Sequence, residues 1–234
     1  MKTDHMPSGL ACNYYRKGAT QAPHQARRLQ MVRRLLKTCS GQLLDYGCGY
    51  GDIAYAISPA FTSVVGVDVS EDRITWARKE FAPVQFRVCD GDKLDFQNAS
   101  FQTVISIVVI NWVENPDQYL AECYRVLSLG GNLVIAVAAP DPIRTFTRKL
   151  LRKSPVHTQF WTENLAAMSQ RLRHHDFEIK QVDCFFEPWS DILNSWKQAC
   201  LTAINLPMRV CRVPAFAPYY GVRAVKTDKE LYRT

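Results

Sequence analysis

The amino-acid sequence predicts a single α/β domain, residues 1–234, built on a seven-stranded, mostly parallel sheet with helices on both faces. Two observations predict it. Apolar strand patterns alternate with helical patterns as far as residue 138, and a glycine-rich turn follows the first strand. Connections of this kind place strands in parallel and helices over both sides of a sheet. The chain has 234 residues, 47% of them hydrophobic, which is sufficient for one full core.

The first part of the chain alternates helix and strand between clear turn signals. Ser70 is a natural N-cap, and the acidic residues Glu71 and Asp72 in the following turn suit the helix dipole. Pro59 limits the short helix that follows the glycine turn. The predicted elements are, in order, an amphipathic helix over residues 22–38, strand Leu43–Tyr46, helix Asp52–Ser58, strand Val64–Asp68 and a helix after Ser70.

The second part continues this alternation and then becomes less regular. Asn115 and Pro116 indicate the start of a helix, and Gly130 and Gly131 indicate its end. We expect residues 1–38 to form an N-terminal cap and helix, and the insertion 187–217 to form a small lid together with the N-terminus. The predicted strands are Val84–Cys89, Thr103–Ile110, Asn132–Ala138, Phe177–Phe186 and Tyr219–Lys226.

Residues 43–51, LLDYGCGYG, carry the most specific signal in the chain. Glycines at alternate positions allow positive φ and let a ligand approach the backbone, and the helix beyond them presents free N–H groups. Asp68, at the end of the next strand, is placed to accept hydrogen bonds from both hydroxyls of a ribose. Asp52 stands where a dinucleotide fingerprint needs its third glycine. The pattern therefore favours a nucleoside ligand that has no pyrophosphate.

The formal net charge is +7, and much of the positive charge lies in two clusters. The first cluster alternates with Leu29, Val32 and Leu36 at helical spacing, which favours a solvated helix side over a polyanion surface. The sequence has no apolar run of membrane-span length, no secretory signal and no C-x-x-C pair. It therefore predicts a cytoplasmic protein with no membrane span, metal site or disulfide. The clusters are Arg27, Arg28, Arg33, Arg34 and Lys37, and Arg144, Arg148, Lys149, Arg152 and Lys153.

Five ordered segments resemble those of the class I S-adenosylmethionine-dependent methyltransferases. The likeness is strong over residues 40–140, and the chain most resembles the small-molecule enzymes of the ubiquinone/menaquinone C-methyltransferase type. This resemblance implies a Rossmann-like fold, S-adenosyl-L-methionine as the cofactor and a small-molecule methyl acceptor as the partner. The segments are LLDYGCGYG at 43–51, VGVDVS at 65–70, FRVCDGDKLDF at 86–96, FQTV with INWVENP at 101–104 and 110–116, and YRVLSLGGNLV at 124–134.

The resemblance also implies roles for individual residues. Asp45 would hold the glycine loop or reach the cofactor amine, Asp68 would bind the ribose, and Asp90 would accept from the amino group of adenine. Val109 would approach the sulfonium, and Tyr15 would fold over the cofactor. The implied cofactor-binding residues are Tyr15, Asp45, Gly47, Cys48, Gly49, Asp68, Val69, Asp90, Gly91 and Val109.

Methyl transfer from a sulfonium is an in-line displacement, in which the protein mainly positions the donor and the acceptor. A base is needed only if the acceptor must lose a proton, and His157, Tyr15 and Asn111 are the candidates for that contact. An RNA methyltransferase and a non-catalytic S-adenosylmethionine-binding module stay open as alternatives. A nucleic-acid partner is disfavoured because no separate RNA-binding module is evident. The sequence does not decide the acceptor, the methylated atom or the oligomeric state.

Overall fold

The computed structural model describes residues 23–91, 93–138, 164–185 and 219–228. The predicted N-terminal cap before residue 23 and the lid insertion 187–217 lie outside these residues and stay predictions. The strands are β1 Gln42–Tyr46, β2 Ser63–Asp68, β3 Gln85–Val88, β4 Phe101–Ile107, β5 Leu127–Ala138, β6 Phe177–Phe185 and β7 Tyr219–Lys226. The helices are α1 Pro23–Leu35, α2 Asp52–Ile57, α3 Glu71–Glu80, α4 Pro116–Val126 and α5 Leu165–His174, with short 3₁₀ turns at Ser58–Ala60 and Ile110–Trp112.

The seven strands of the described residues form one sheet in the order β3-β2-β1-β4-β5-β7-β6. Neighbouring strands from β3 to β5 are parallel, and β7 runs antiparallel to both β5 and β6. The predicted seven-stranded, mostly parallel sheet is therefore confirmed. The chain crosses from β1 to β2 and β3, then returns to β4 on the other side of β1. This order places a topological switch point between β1 and β4, where open α/β sheets bind their ligands.

Strand residues alternate between two buried cores, one on each face of the sheet. In β1, Leu43 joins one core and Leu44 joins the other. Helices α1, α2 and α3 supply the first core, and α4 and α5 supply the second, which confirms helices on both faces. Helix α1 lies over β6 and β7, where Gly221 leaves room for Met31 and Leu35.

Helix α4 passes into β5 without a loop, since the helix ends at Val126 and the strand begins at Leu127. The prediction that Gly130 and Gly131 end this helix is wrong, because both glycines lie inside β5. They stand where the pairing of β5 with β4 is interrupted by a register shift. Glycines can mark such an irregularity in a strand as well as the end of a helix.

A lysine from the last strand caps the carboxyl end of α4. The Nζ atom of Lys226 donates to the carbonyl oxygens of Tyr124 and Leu127, at 2.8 Å each. The same Nζ lies 4.2 Å from the centre of the Tyr124 ring, and the Tyr124 hydroxyl donates to the carbonyl oxygen of Thr227 at 2.8 Å. Desolvation lowers the pKa of Lys226. The cation thus satisfies carbonyls that the end of a helix otherwise leaves unpaired.

The predicted fourth strand, Thr103–Ile110, is wrong at its carboxyl end, because β4 stops at Ile107. Val108 has a φ of 62°, which turns the chain out of the sheet, and a 3₁₀ turn follows. An uninterrupted apolar run in the sequence does not show where the backbone leaves the strand conformation. For a β-branched residue this positive φ is a strained conformation.

We expect Lys226→Met to lower the free energy of unfolding by about 1–2 kcal/mol, because the methionine keeps the apolar stem but donates to neither carbonyl. Urea denaturation of the full chain measures this change. The matched control is Lys180→Met on β6, where an exposed lysine pairs with exposed Glu178 and the effect should stay within about 0.5 kcal/mol. An equal decrease in the free energy of unfolding of the two variants would contradict a capping role for Lys226.

Candidate active site

The loop that follows β1 turns on alternate glycines. Gly47, Gly49 and Gly51 have positive φ values of 85°, 57° and 81°, a region that side chains rarely adopt. The amide of Gly47 donates to the carbonyl oxygen of Val67 at 2.8 Å, which holds the loop against the end of β2. A Cβ on Gly47 would collide with Val109, whereas a Cβ on Gly49 would meet no atom within 4 Å. Gly49 therefore borders open space at the end of the sheet.

Asp68 joins the glycine loop to the end of β2. Asp68 as a whole residue is 5% exposed, and its Oδ2 accepts a hydrogen bond from the amide of Gly49 at 2.9 Å. Its Oδ1 accepts from the amide of Ser70 at 3.0 Å, and the guanidinium of Arg73 lies 3.8 Å away. A carboxylate has about four acceptor positions, so each oxygen can accept a further hydrogen bond from a ligand.

Asp45 is almost completely buried beneath the same loop, with 2% of its surface exposed. Burial raises the pKa of Asp45 to about 8, the carboxylates of Asp52 and Asp68 add to this rise, and the Arg28 cation opposes it. Burial also raises the pKa of Asp52, again against the effect of Arg28. Three acidic side chains thus lie together at this end of the sheet, where Arg28 lies 3.9 Å from Asp52 and Arg73 lies 3.8 Å from Asp68.

Three arginines of the first basic cluster, Arg28, Arg33 and Arg34, contact other parts of the protein. The prediction of a solvated side chain is wrong for Arg28, whose side chain is only 23% exposed and lies 3.9 Å from Asp52. Its Nε is buried and has no hydrogen-bond partner among the described residues. Arg33 donates to the carbonyl oxygen of Ala56 at 3.1 Å, and Arg34 donates to Asp183 at 2.6 Å. These contacts fix α1 to α2 and to β6.

The loop after β3, comprising residues 89–98 except 92, is called the β3 loop below. It begins where the amide of Cys89 donates to the carbonyl oxygen of Asp68 at 3.0 Å. Gly91 has a φ of 90°, and its carbonyl oxygen accepts from the hydroxyl of Tyr46 at 2.5 Å. Asp90 is exposed. Sequence reasoning treated Tyr46 only as a strand residue, although a buried tyrosine hydroxyl usually signals a hydrogen-bond partner.

Asn111 connects the ends of β4 and β5. It is 1% exposed; its amide nitrogen donates to the carbonyl oxygen of Ala138 at 3.1 Å, and its Oδ1 accepts from the amide of Ala138 at 3.0 Å. Val108 adds a second link by donating from its amide to the carbonyl oxygen of Ala136 at 2.8 Å. This geometry favours a structural role for Asn111, so its predicted contact with the substrate gains no support.

The structure brings most of the predicted site residues to one edge of the sheet. They lie at the carboxyl ends of β1, β2 and β4 and just beyond β3, on both sides of the switch point. Tyr15 and His157 lie outside the described residues, so their predicted contacts stay predictions. The residues at this edge are Asp45, Gly47, Cys48, Gly49, Asp68, Val69, Asp90, Gly91 and Val109.

Known methyltransferases are similar to the part of the chain that contains these residues. A family model described as a methyltransferase domain matches residues 44–135, from β1 into β5. A Mycolicibacterium smegmatis protein, named a probable S-adenosylmethionine-dependent methyltransferase, is 29% identical over 181 residues, covering 76% of this chain and 69% of that protein. The ubiquinone/menaquinone biosynthesis C-methyltransferase UbiE of Desulfotalea psychrophila is 33% identical over 128 residues, which cover 53% of this chain and 52% of the relative. The chain is a class I S-adenosylmethionine-dependent methyltransferase.

The methyltransferase shares its fold with a chain from a solved complex of Haloferax volcanii. That complex contains the Trm112 methyltransferase activator and a methyltransferase, and the match has a TM-score of 0.70 at 17% identity. It covers 94% of this chain and 97% of that one. At this identity the likeness shows the fold alone.

The charges at this edge are compatible with S-adenosylmethionine. The methionine end of the cofactor carries an ammonium and a sulfonium, which are cationic, and one carboxylate. Asp45, Asp52 and Asp68 supply acidic side chains at this edge, and Arg28 and Arg73 supply two guanidinium groups. Open space lies beside Gly49, where a ligand can reach the backbone of the loop. A cation bound there would favour the ionised form of Asp45.

Without cofactor, we expect Asp45→Asn to have a higher free energy of unfolding than the wild type. The difference should grow as the pH rises from about 4 to about 8. The folded chain keeps a proton on Asp45 up to pH 8, whereas the unfolded chain releases it near pH 4. Rising pH therefore lowers the stability of the wild type over this range, and above it the margin should be constant.

Thermal unfolding of both proteins near pH 5, 7 and 9 measures this margin. With saturating S-adenosylhomocysteine the wild type should become the more stable of the two proteins, because the ammonium of the ligand stabilises the ionised Asp45. A margin that does not change with pH would show that Asp45 titrates normally in the folded protein.

Proposed function

We propose that the methyltransferase transfers the methyl group of S-adenosylmethionine to a small-molecule acceptor that has an apolar body. One observation carries this proposal: residues 106–113, at the edge beside the switch point, contain no acidic or basic side chain. Within this segment Trp112 is 42% exposed, while Asn111 is turned into the protein. An apolar edge with an exposed aromatic ring suits an acceptor that packs by surface contact.

The positions of the carboxylates support distinct roles in binding the cofactor. Asp68 has acceptor positions left for the ribose hydroxyls, beyond the two amides it already binds. Asp45, buried beneath the glycine loop, would meet the methionine ammonium directly or through water, and Arg28, with its unpaired Nε, is suited to the methionine carboxylate. Asp90 would accept from the amino group of adenine. The backbone of the glycine loop would lie along the methionine part.

Bound S-adenosylmethionine supplies a methyl group on a positively charged sulfur. In the transfer, a nucleophilic atom of the acceptor forms a bond to the methyl carbon while the sulfur–methyl bond breaks and its electron pair returns to sulfur. The protein holds the two partners in line. Residues 106–113 offer no base, so we infer that the acceptor is already nucleophilic, or that its proton goes to water or to one of the predicted contacts Tyr15 and His157.

The relatives and the charge distribution both favour a small acceptor over RNA. The name of the Desulfotalea psychrophila relative places it in ubiquinone and menaquinone biosynthesis, where it methylates carbon. The positive charge that suggested RNA is partly engaged inside the protein, because Arg28, Arg33 and Arg34 contact other parts of the fold. The second basic cluster lies outside the described residues, so it adds no structural support for RNA.

We expect the purified protein to methylate a reduced naphthoquinone such as menadiol and to leave bulk tRNA unmodified at low salt. Radiolabelled S-adenosylmethionine with each acceptor, followed by extraction of the products, measures the transfer. Methyl incorporation into tRNA alone would contradict the small-molecule proposal. Absence of transfer to every acceptor, despite cofactor binding, would favour the non-catalytic alternative.

Trp112→Ala should lower kcat/KM for the acceptor by about tenfold, because a stacked aromatic ring contributes roughly 1–1.5 kcal/mol. Its effect on the affinity for S-adenosylhomocysteine should be small. The matched control is Leu129→Ala, another exposed apolar residue, 61% exposed, beside the glycines of β5. A similar loss in both variants would remove Trp112 from the acceptor site.

We expect S-adenosylhomocysteine to bind more tightly than NAD, and Asp68→Ala to weaken that binding by about 1.5–3 kcal/mol. Titration calorimetry measures both affinities. Because Asp68 also accepts from two backbone amides, thermal unfolding must show that the variant is folded. Asp72→Ala, at an exposed position at the start of α3, should bind like the wild type. Tighter binding of NAD would overturn the cofactor assignment.

A further inference from the structure

We propose that Tyr46 is a positioning residue that sets the base selectivity of the cofactor site through the β3 loop. This inference rests on the proposed function, in which Asp90 accepts from the amino group of adenine. The hydroxyl of Tyr46 donates to the carbonyl oxygen of Gly91, the residue next to Asp90. Tyr46 would therefore act through Asp90 and Gly91 without touching the cofactor.

The contact between Tyr46 and the β3 loop is buried and short. Tyr46 is 2% exposed, and its hydroxyl donates to the carbonyl oxygen of Gly91 at 2.5 Å. Gly91 holds a φ of 90°, a conformation that glycine adopts readily but other residues do not. The carbonyl belongs to the peptide that follows Gly91, so a hydroxyl that holds it restrains the turn at Asp90 and Gly91, and with it the point from which Asp90 projects.

The ring of Tyr46 is itself held in place. It stacks on Tyr119 with 4.2 Å between the ring centres and 20° between the planes. The hydroxyl of Tyr119 is hydrogen-bonded to the carbonyl oxygen of Tyr46 and to the hydroxyl of Ser106, at 3.0 Å each. The Tyr46 hydroxyl is therefore a fixed donor at the end of β1, because both its ring and its backbone are constrained.

The far end of the β3 loop has an independent anchor on α4. Glu122 accepts from the amide of Leu94 at 2.9 Å. Arg125 donates to the carbonyl oxygens of Leu94 and Phe96 and to the side chain of Asn98, at 2.8, 2.6 and 3.0 Å. Removing the Tyr46 hydroxyl should thus leave the rest of the loop attached. The expected change is confined to the turn at Asp90 and Gly91.

The experiment compares two ligands on Tyr46→Phe. One is S-adenosylhomocysteine, and the other is S-inosylhomocysteine, in which an oxygen replaces the amino group of the base. The wild type should prefer the adenine ligand by about tenfold to a hundredfold, because the carboxylate of Asp90 accepts from the amino group. In Tyr46→Phe the adenine ligand should bind about threefold to tenfold more weakly, with the inosine ligand unchanged. The selectivity ratio then falls by the same factor.

Tyr124→Phe is the matched control, since it removes a tyrosine hydroxyl that donates to the backbone carbonyl of Thr227, away from the β3 loop. It should keep the wild-type ratio. The inference is wrong if Tyr46→Phe keeps that ratio, or if Tyr124→Phe loses it equally. A general weakening of both ligands in Tyr46→Phe, with the ratio intact, would also overturn it.

Two further outcomes complete the test. If Tyr46→Phe does not fold, Tyr46→Leu supplies the same measurement without the hydroxyl. Failure of both variants to fold would make the hydroxyl a folding requirement and would also overturn the inference. If the wild type binds neither ligand, the proposed function fails, which is a separate result from an unchanged ratio.

Discussion

The hydrogen bonds around Asp68 are the interaction on which the rest of the site depends. The carboxylate accepts hydrogen bonds from the amides of Gly49 and Ser70, and the carbonyl oxygen of the same residue accepts one from the amide of Cys89. One residue at the end of β2 thus joins the glycine loop, the start of α3 and the β3 loop. Because a buried carboxylate is costly without such partners, these loops and the acid stabilise each other.

Asp45 is a costly residue to keep at this edge of the sheet. Its pKa is raised because burial and two neighbouring carboxylates outweigh Arg28. Groups with perturbed pKa values that lower stability are a common feature of functional sites. The acids at this edge would also repel a phosphate, in agreement with the absence of a dinucleotide fingerprint.

The sequence predicted features whose causes are local. The glycine loop, Asp68 at the end of a strand and the alternation of strand and helix each depend on residues within a few positions of one another. The features that the sequence did not predict are contacts between residues that lie far apart in the chain. Lys226 caps a helix about a hundred residues earlier, Tyr46 reaches Gly91 across 45 residues, and Arg28 meets Asp52. No periodicity or spacing reports such contacts, because tertiary packing creates them. The two glycines of β5 were wrongly predicted to end a helix, because glycine permits several backbone conformations.

The position of α1 has a consequence for the order in which the protein is assembled. This helix precedes the first strand, yet it rests on β6 and β7 near the other end of the chain. Arg34 meets Asp183 across 149 residues, and Gly221 accommodates Met31 and Leu35. A ribosome-bound chain that ends after β5 has its glycine loop, its acids and the contacts of α1 with α2, but it lacks β6 and β7, on which α1 also packs. Contacts of such high sequence separation form late. The helix that carries Arg28 therefore gains its contacts with β6 and β7 only after these strands have been synthesised.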